Sequence, residues 1–190
     1  MKVGVLALQG GVIEHVEMLK KIGVQPILVK KESDLEDIDG IILPGGESTA
    51  IGRLLKIFNL LAPLKKKIQE GLPTYGTCAG LILLAKEVIG EDPYLETMDI
   101  SVKRNAYGRQ LSSFTTNQVI KEIDESPIPL VFIRAPWIEK VGRNVQVLLE
   151  LDGKVVCAKE NNILVSSFHP ELTNDERVHR YFIEMIKTAK

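Results

Sequence analysis

Apolar residues fall along the chain in two alternating rhythms. Residues 3–8 are almost continuously apolar, the pattern of a strand buried on both faces. Ile13, Val16, Leu19 and Ile22 then recur at helical spacing, and Gly23 stands where that helix should stop. Short apolar runs follow at 26–29 and 38–43, then two helical stretches at about 49–58 and 63–70. Residues 73–78 read as another buried strand, which breaks at a glycine-rich turn and continues into the apolar helix 81–85. Strands alternating with helices predict βαβ units and a mostly parallel central sheet flanked by helices.

The second half changes rhythm. Residues 94–118 mix polar and β-branched side chains without a helical period and predict antiparallel strands and loops. Residues 130–133 form a convincing strand. The runs 145–151 and 155–158 flank Asp152-Gly153, a strong hairpin signal. A last strand at 163–168 ends at His169-Pro170-Glu171, and 178–186 predicts a closing amphipathic helix. No linker, internal repeat or low-complexity segment interrupts the chain. Residues 1–190 are therefore expected to form one domain, an α/β fold with an antiparallel, hairpin-bearing portion in its second half.

Composition changes this picture little. With 45% hydrophobic residues, 190 residues can bury a good-sized core. The 24 basic and 25 acidic residues leave a net charge of −1, so neither nucleic acid nor an anionic membrane is expected as a partner. No apolar run is long enough to span a bilayer. The N-terminus enters an apolar strand directly, without the cleavage region of a signal peptide, so a cytoplasmic location is expected. Cys78 and Cys157, the two cysteines, are no disulfide scaffold, and a reducing compartment keeps Cys78 available.

Candidate chemistry concentrates at three strand ends. Gly76-Thr77-Cys78-Ala79-Gly80 has the spacing of a nucleophile elbow with Cys for Ser. Such a turn sets the thiol at a helix N-terminus, which favours the thiolate, and aims the Ala79 N–H at a developing oxyanion. The same stretch also suits a small buried cysteine in a glycine-rich turn. His169-Pro170-Glu171 supplies a base and an acceptor to orient it; alone, it could be a surface turn. Pro44-Gly45-Gly46-Glu47-Ser48 offers backbone N–H groups for an anion or an oxyanion hole, or a tight loop with Ser48 as helix cap. A metal site is not expected, since one His and one Glu leave too few ligands. His15 and His179 read as surface or packing residues. Cys157 reads as core, and Trp137 as packing either under the site or in local core.

Gly-x-Cys-x-Gly with a later His-Pro-Glu resembles the class I, or triad, glutamine amidotransferases. Ala7-Leu8-Gln9-Gly10, the Pro44–Ser48 loop with Thr49, and Arg104-Asn105-x-x-Gly108-Arg109-Gln110 narrow the likeness. So do Phe132-Ile133-Arg134-Ala135-Pro136 and Ser167-Phe168-His169-Pro170-Glu171-Leu172. Together they are similar to the glutaminase subunits of pyridoxal 5′-phosphate synthases. The resemblance implies hydrolysis of L-glutamine, with Cys78 as nucleophile, His169 as general base and acid, and Glu171 as its orienter. It implies that Gly46, Glu47 and Ser48 bind glutamine, that Gly46 and Ala79 form the oxyanion hole, and that Arg104 binds the α-carboxylate. Ile133 and Arg134 are expected to contact glutamine. The partner it implies is a (β/α)8-barrel pyridoxal 5′-phosphate synthase subunit, and the glutaminase half is expected to need no cofactor. Alternatives are a glutaminase subunit of another amidotransferase such as imidazole glycerol phosphate synthase, a noncatalytic binding module, and a thiol peptidase.

Overall fold

The computed structural model describes residues 1–104 and 113–189. The expected motif residues Asn105, Gly108, Arg109 and Gln110 lie outside the described residues. In the first half the chain runs β1 (Lys2–Leu6), α1 (Val12–Lys21), β2 (Gln25–Val29), β3 (Gly40–Leu43), α2 (Ser48–Ile57), α3 (Leu61–Gln69), β4 (Thr74–Thr77) and α4 (Ala79–Leu84). It continues as β5 (Ala85–Val88), β6 (Met98–Lys103), β7 (Ser113–Ile120), β8 (Asp124–Ile133), β9 (Trp137–Val141), β10 (Gln146–Leu151), β11 (Lys154–Glu160), β12 (Ile163–Ser166) and α5 (Arg177–Thr188).

Among the described residues, ten strands form one sheet in the order β2-β1-β3-β4-β12-β11-β9-β6-β5, with β10 paired to β11 off this path. The side from β2 to β12 is parallel, as the alternation of apolar runs and helices requires. Beyond β12 the pairings with β11, β9 and β6 are antiparallel. Strands β7 and β8 make a separate two-stranded ribbon. At the β10–β11 turn both Asp152 (φ 50°) and Gly153 (φ 72°) are left-handed, the conformation a two-residue hairpin favours.

Two apolar cores sandwich the sheet. Strand residues pointing one way (Leu6, Ile41, Leu43, Val165) pack with Ile51 and Leu55 of α2, Leu64 and Ile68 of α3, and α4. Those pointing the other way (Val3, Val5, Ile42, Tyr75, Leu164) pack with Leu19 of α1, the β8 side chains Leu130 and Phe132, and Val178, Phe182 and Ile186 of α5. Burial on both faces is why β3 and β4 lack polar alternation. Among the described residues no helix is long and apolar enough to cross a membrane.

Two expectations need adjustment, and one strand carried no signal. α4 stops at Leu84 and the chain passes directly into β5, so the apolar run ends as strand rather than helix. β9 had no strong apolar signature, because it exposes Glu139, Lys140 and Val141. On α1 the buried set is His15, Met18 and Leu19, while Ile13 is 68% exposed. The helix is rotated so that a histidine faces inward.

Candidate active site

β3, β4 and β12 are parallel neighbours in close register, with Thr74 opposite both Ile41 and Ile163. Their carboxyl ends therefore open side by side, the usual place for ligands in such sheets. Pro44-Gly45-Gly46 follows β3, Cys78 follows β4, and Ser167-Phe168-His169 follows β12. Cys78 itself takes the left-handed backbone (φ 49°, ψ −99°), and α4 begins one residue later. Its N–H donates to the Ser166 carbonyl at 2.8 Å. Strain thus sits on the cysteine, while the flanking glycines serve close packing. A Cβ on Gly76 would lie 2.6 Å from the Gly80 backbone, and one on Gly80 would collide with the Leu43 carbonyl.

His169 and Glu171 meet across a 3-10 turn, Pro170–Leu172, with His169 Nδ1–H donating to Glu171 Oε1 at 2.7 Å. Both side chains are nearly buried. The His169 N–H donates to the Val131 carbonyl of β8 at 2.8 Å, which anchors the turn. Burial pulls the imidazole pKa down, but hydrogen bonds with Cys78 and Glu171 and the nearby Glu171 charge outweigh it and raise it to about 10. Burial pushes the Glu171 carboxyl up, yet His15 and His169 hold it below its ordinary value. Gly45 lies against this imidazole, and a Cβ there would sit 2.9 Å from His169 Nδ1.

The loop after β3 is fixed by its own backbone. The Gly45 N–H donates to Thr77 Oγ1 at 2.9 Å, and the Gly45 carbonyl accepts from the Gly11 N–H at 2.9 Å. The Glu47 N–H donates to Gln9 Oε1 at 2.9 Å. Glu47, not Ser48, caps α2, its carboxylate accepting from the Thr49 and Ala50 N–H groups at 3.1 and 2.7 Å. Ser48 is buried in the first turn.

Arg104 reaches the same loop. Its Nη2–H donates to Glu47 Oε1 at 2.9 Å. Its Nη1 donates to both oxygens of Glu91 at 2.6 and 2.7 Å and to Thr49 Oγ1 at 3.0 Å. Ile133 closes β8, and its carbonyl lies 3.9 Å from Cys78 Sγ. Arg134 follows with φ 43°.

These groups surround a cavity of about 280 Å³, lined by Gln9, Gly46, Glu47, Ser48, Cys78, Ile82, Arg104, Ile133, Arg134 and His169. That is small for a pocket and suits a substrate the size of a free amino acid. Ala79 follows Cys78 as the first residue of α4, and Glu171 is hydrogen-bonded to His169. Every residue singled out as nucleophile, base or substrate contact thus comes to one place, and Gln9 and Ile82 join them. Gln9 stood in a quoted motif without a role. Thr77 and His15 had no separate signal at all. Trp137 lies on β9 with Lys154 Nζ 3.6 Å above its ring, in packing away from the cavity lining. Cys157 is core, and burial pushes its thiol up to about 12.

The SNO glutamine amidotransferase family model matches residues 5–188. The chain is 58% identical over 185 residues to the pyridoxal 5′-phosphate synthase subunit PdxT of Clostridium beijerinckii, covering 97% of each. It is 57% identical over 186 residues to that of Clostridium botulinum, covering 97% of this chain and 96% of the relative. A solved glutamine amidotransferase superposes with a TM-score of 0.92 at 44% identity, covering 97% of this chain and 98% of the other. A glutamine amidotransferase from Thermotoga maritima shares the fold, with a TM-score of 0.65 at 15% identity over 99% of this chain and 83% of the other. A cysteine elbow, a histidine–carboxylate pair and a glycine loop converge on one small cavity, and the likeness spans nearly the whole length: the chain belongs to the SNO glutamine amidotransferase family.

Proposed function

We propose that this chain hydrolyses L-glutamine to L-glutamate and ammonia through Cys78, His169 and Glu171, as the glutaminase subunit of a pyridoxal 5′-phosphate synthase. The observation that carries the reading is the 2.7 Å bond between His169 and Glu171, set against a cysteine in strained, left-handed backbone at the cavity. The Cys78 thiolate attacks the amide carbon of glutamine. The tetrahedral oxyanion accepts hydrogen bonds from the Ala79 N–H and, once suitably aimed, the Gly46 N–H. His169, protonated at rest, gives its proton to the departing ammonia. Water then hydrolyses the γ-glutamyl thioester with His169 as base, and Glu171 steadies the imidazolium in both steps.

Arg104 binds the substrate's α-carboxylate, with Glu47, Ser48, Ile133 and Arg134 lining the same cavity. A planar guanidinium fork suits that task. A cavity of about 280 Å³ suits a free amino acid better than a peptide chain, which argues against a peptidase. The ammonia passes to a synthase partner, a (β/α)8-barrel subunit that condenses it with a pentose phosphate and a triose phosphate. The reaction belongs in the cytoplasm, where Cys78 stays reduced. The test is ammonia release from glutamine by the chain mixed with that subunit. Wild type should release it and Cys78→Ala should not; equal rates from both would refute the assignment.

A further inference from the structure

His15 is a polar group on an inward helix face, fully buried, and the mechanism above does not use it. One ring nitrogen, Nδ1, lies 3.0 Å from His179 Nε2 on α5. The other, Nε2, lies 3.2 Å from Thr77 Oγ1 and 3.6 Å from Glu171 Oε2. That carboxylate oxygen is turned away from His169 and, among the described residues, has no hydrogen-bond partner. A bare Nε2 would set a lone pair against it, so the hydrogen belongs on Nε2 and the His179 Nε2–H donates to Nδ1. Thr77 Oγ1 also accepts from the Gly45 N–H. One imidazole therefore touches both the carboxylate behind His169 and the strand end that fixes the glycine loop.

We propose that His15 is a positioning residue for glutamine hydrolysis: its Nε2–H steadies the outer oxygen of Glu171, and through it the imidazole of His169. The inference rests on the reading of Glu171 as the group that orients His169. Glu171 Oε2 lies 3.6 Å from that Nε2, a polar contact longer than a hydrogen bond; without it the buried carboxylate would rotate or take up a proton, and either change loosens the 2.7 Å bond to His169. Burial pulls the His15 pKa below its ordinary value, which favours a fixed donor over a proton carrier.

Two amides separate this role from packing. The amide of His15→Gln reaches the position of Nε2; that of His15→Asn reaches only the position of Nδ1 and its His179 bond. The assay is kcat and KM for glutamine in the complex with the synthase partner, in wild-type and Glu171→Gln backgrounds, with thermal melts alongside. His15→Asn should lower kcat about tenfold, the upper end of what one neutral polar contact contributes, with KM changed less than about twofold. His15→Gln should stay within about threefold of wild type. In the Glu171→Gln background His15→Asn should cost less than about threefold, because its target is already gone. If His15→Asn melts below the assay temperature, His15→Met, which fills the space without an N–H, takes its place in the cycle. Equal losses in both backgrounds, equal losses for Gln and Asn, or no loss at all would overturn the proposal. A Glu171→Gln enzyme as fast as wild type would instead sink the triad reading, and this inference with it.

Discussion

At Cys78 the backbone takes part in the chemistry. A left-handed non-glycine residue costs on the order of 1–3 kcal/mol and persists only where its surroundings insist. Here they do, through the Ser166 carbonyl and the packing of Gly76 and Gly80. A glutamine-like electrophile should label Cys78 and leave Cys157 untouched, since burial pushes the Cys157 thiol up to about 12. Mass spectrometry that finds the label on Cys157 would refute the elbow. Arg104 gives a second prediction. Its guanidinium is engaged by Glu91 and Glu47, so a substrate carboxylate must displace one of them. Glu91→Gln should lower KM for glutamine, by no more than about fivefold, because partly exposed ion pairs are worth at most about 1 kcal/mol. Arg104→Lys should raise KM; unaltered kinetics in both variants would put the carboxylate elsewhere. Cys78 and His169 were legible as candidates in sequence because each lies within a short motif. His15 was not, since its partners lie 164 and 62 residues away and apolar spacing turned Ile13 inward instead.

Among elements, the loop after β3 is the one whose orientation matters most. The Gly45 carbonyl is held by the Gly11 N–H, and in a trans peptide the Gly46 N–H points from the opposite edge of the same plane. Rotating that plane trades the Gly11 bond for a different aim of the Gly46 N–H. One aimed donor is worth about 10²–10³ in rate. The isolated chain should therefore hydrolyse glutamine weakly, and at saturating glutamine kcat should rise steeply as the synthase partner is added. Gly46→Ala should blunt that rise without weakening the complex, because a Cβ there would lie 2.5 Å from Gln9 Oε1 and 3.0 Å from the Gly10 Cα. Full activity without the partner would refute the gate. The parallel half of the sheet was legible because continuous apolar runs alternate with helices. β5 and β9 were not. Ala85-Lys86-Glu87-Val88 offers two apolar residues, and only its neighbour β6 makes it a strand.

For the whole molecule, the buried histidines tie stability to pH. Burial, and then the neighbouring His15, depress the His179 pKa to about 3. The unfolded chain takes up a proton near the ordinary value of 6.5, and the folded chain refuses it until about 3. Stability from this residue is thus present above 6.5 and lost as pH falls toward 3, at up to about 1.4 kcal/mol per pH unit. His169 acts at the other end. Its raised pKa stabilises the fold fully below 6.5, and that contribution fades as pH rises to about 10. Denaturant melts of His179→Gln should show a shallower loss between pH 6 and pH 4 than wild type, roughly the window these values define. Parallel curves would mean that His179 is not held neutral.

β12 is the last strand in the chain, yet it sits in the middle of the sheet between β4 and β11. On the ribosome, β4 therefore waits with an open edge until about residue 166 has emerged, and Cys78 waits with it for His169. On the proposed mechanism, a nascent or prematurely ended chain holds the thiol and the glycine loop but cannot liberate ammonia. Sheet closure is thus a precondition of the proposed hydrolysis, met before any partner can raise its rate, so unfinished copies do not drain the cell's glutamine.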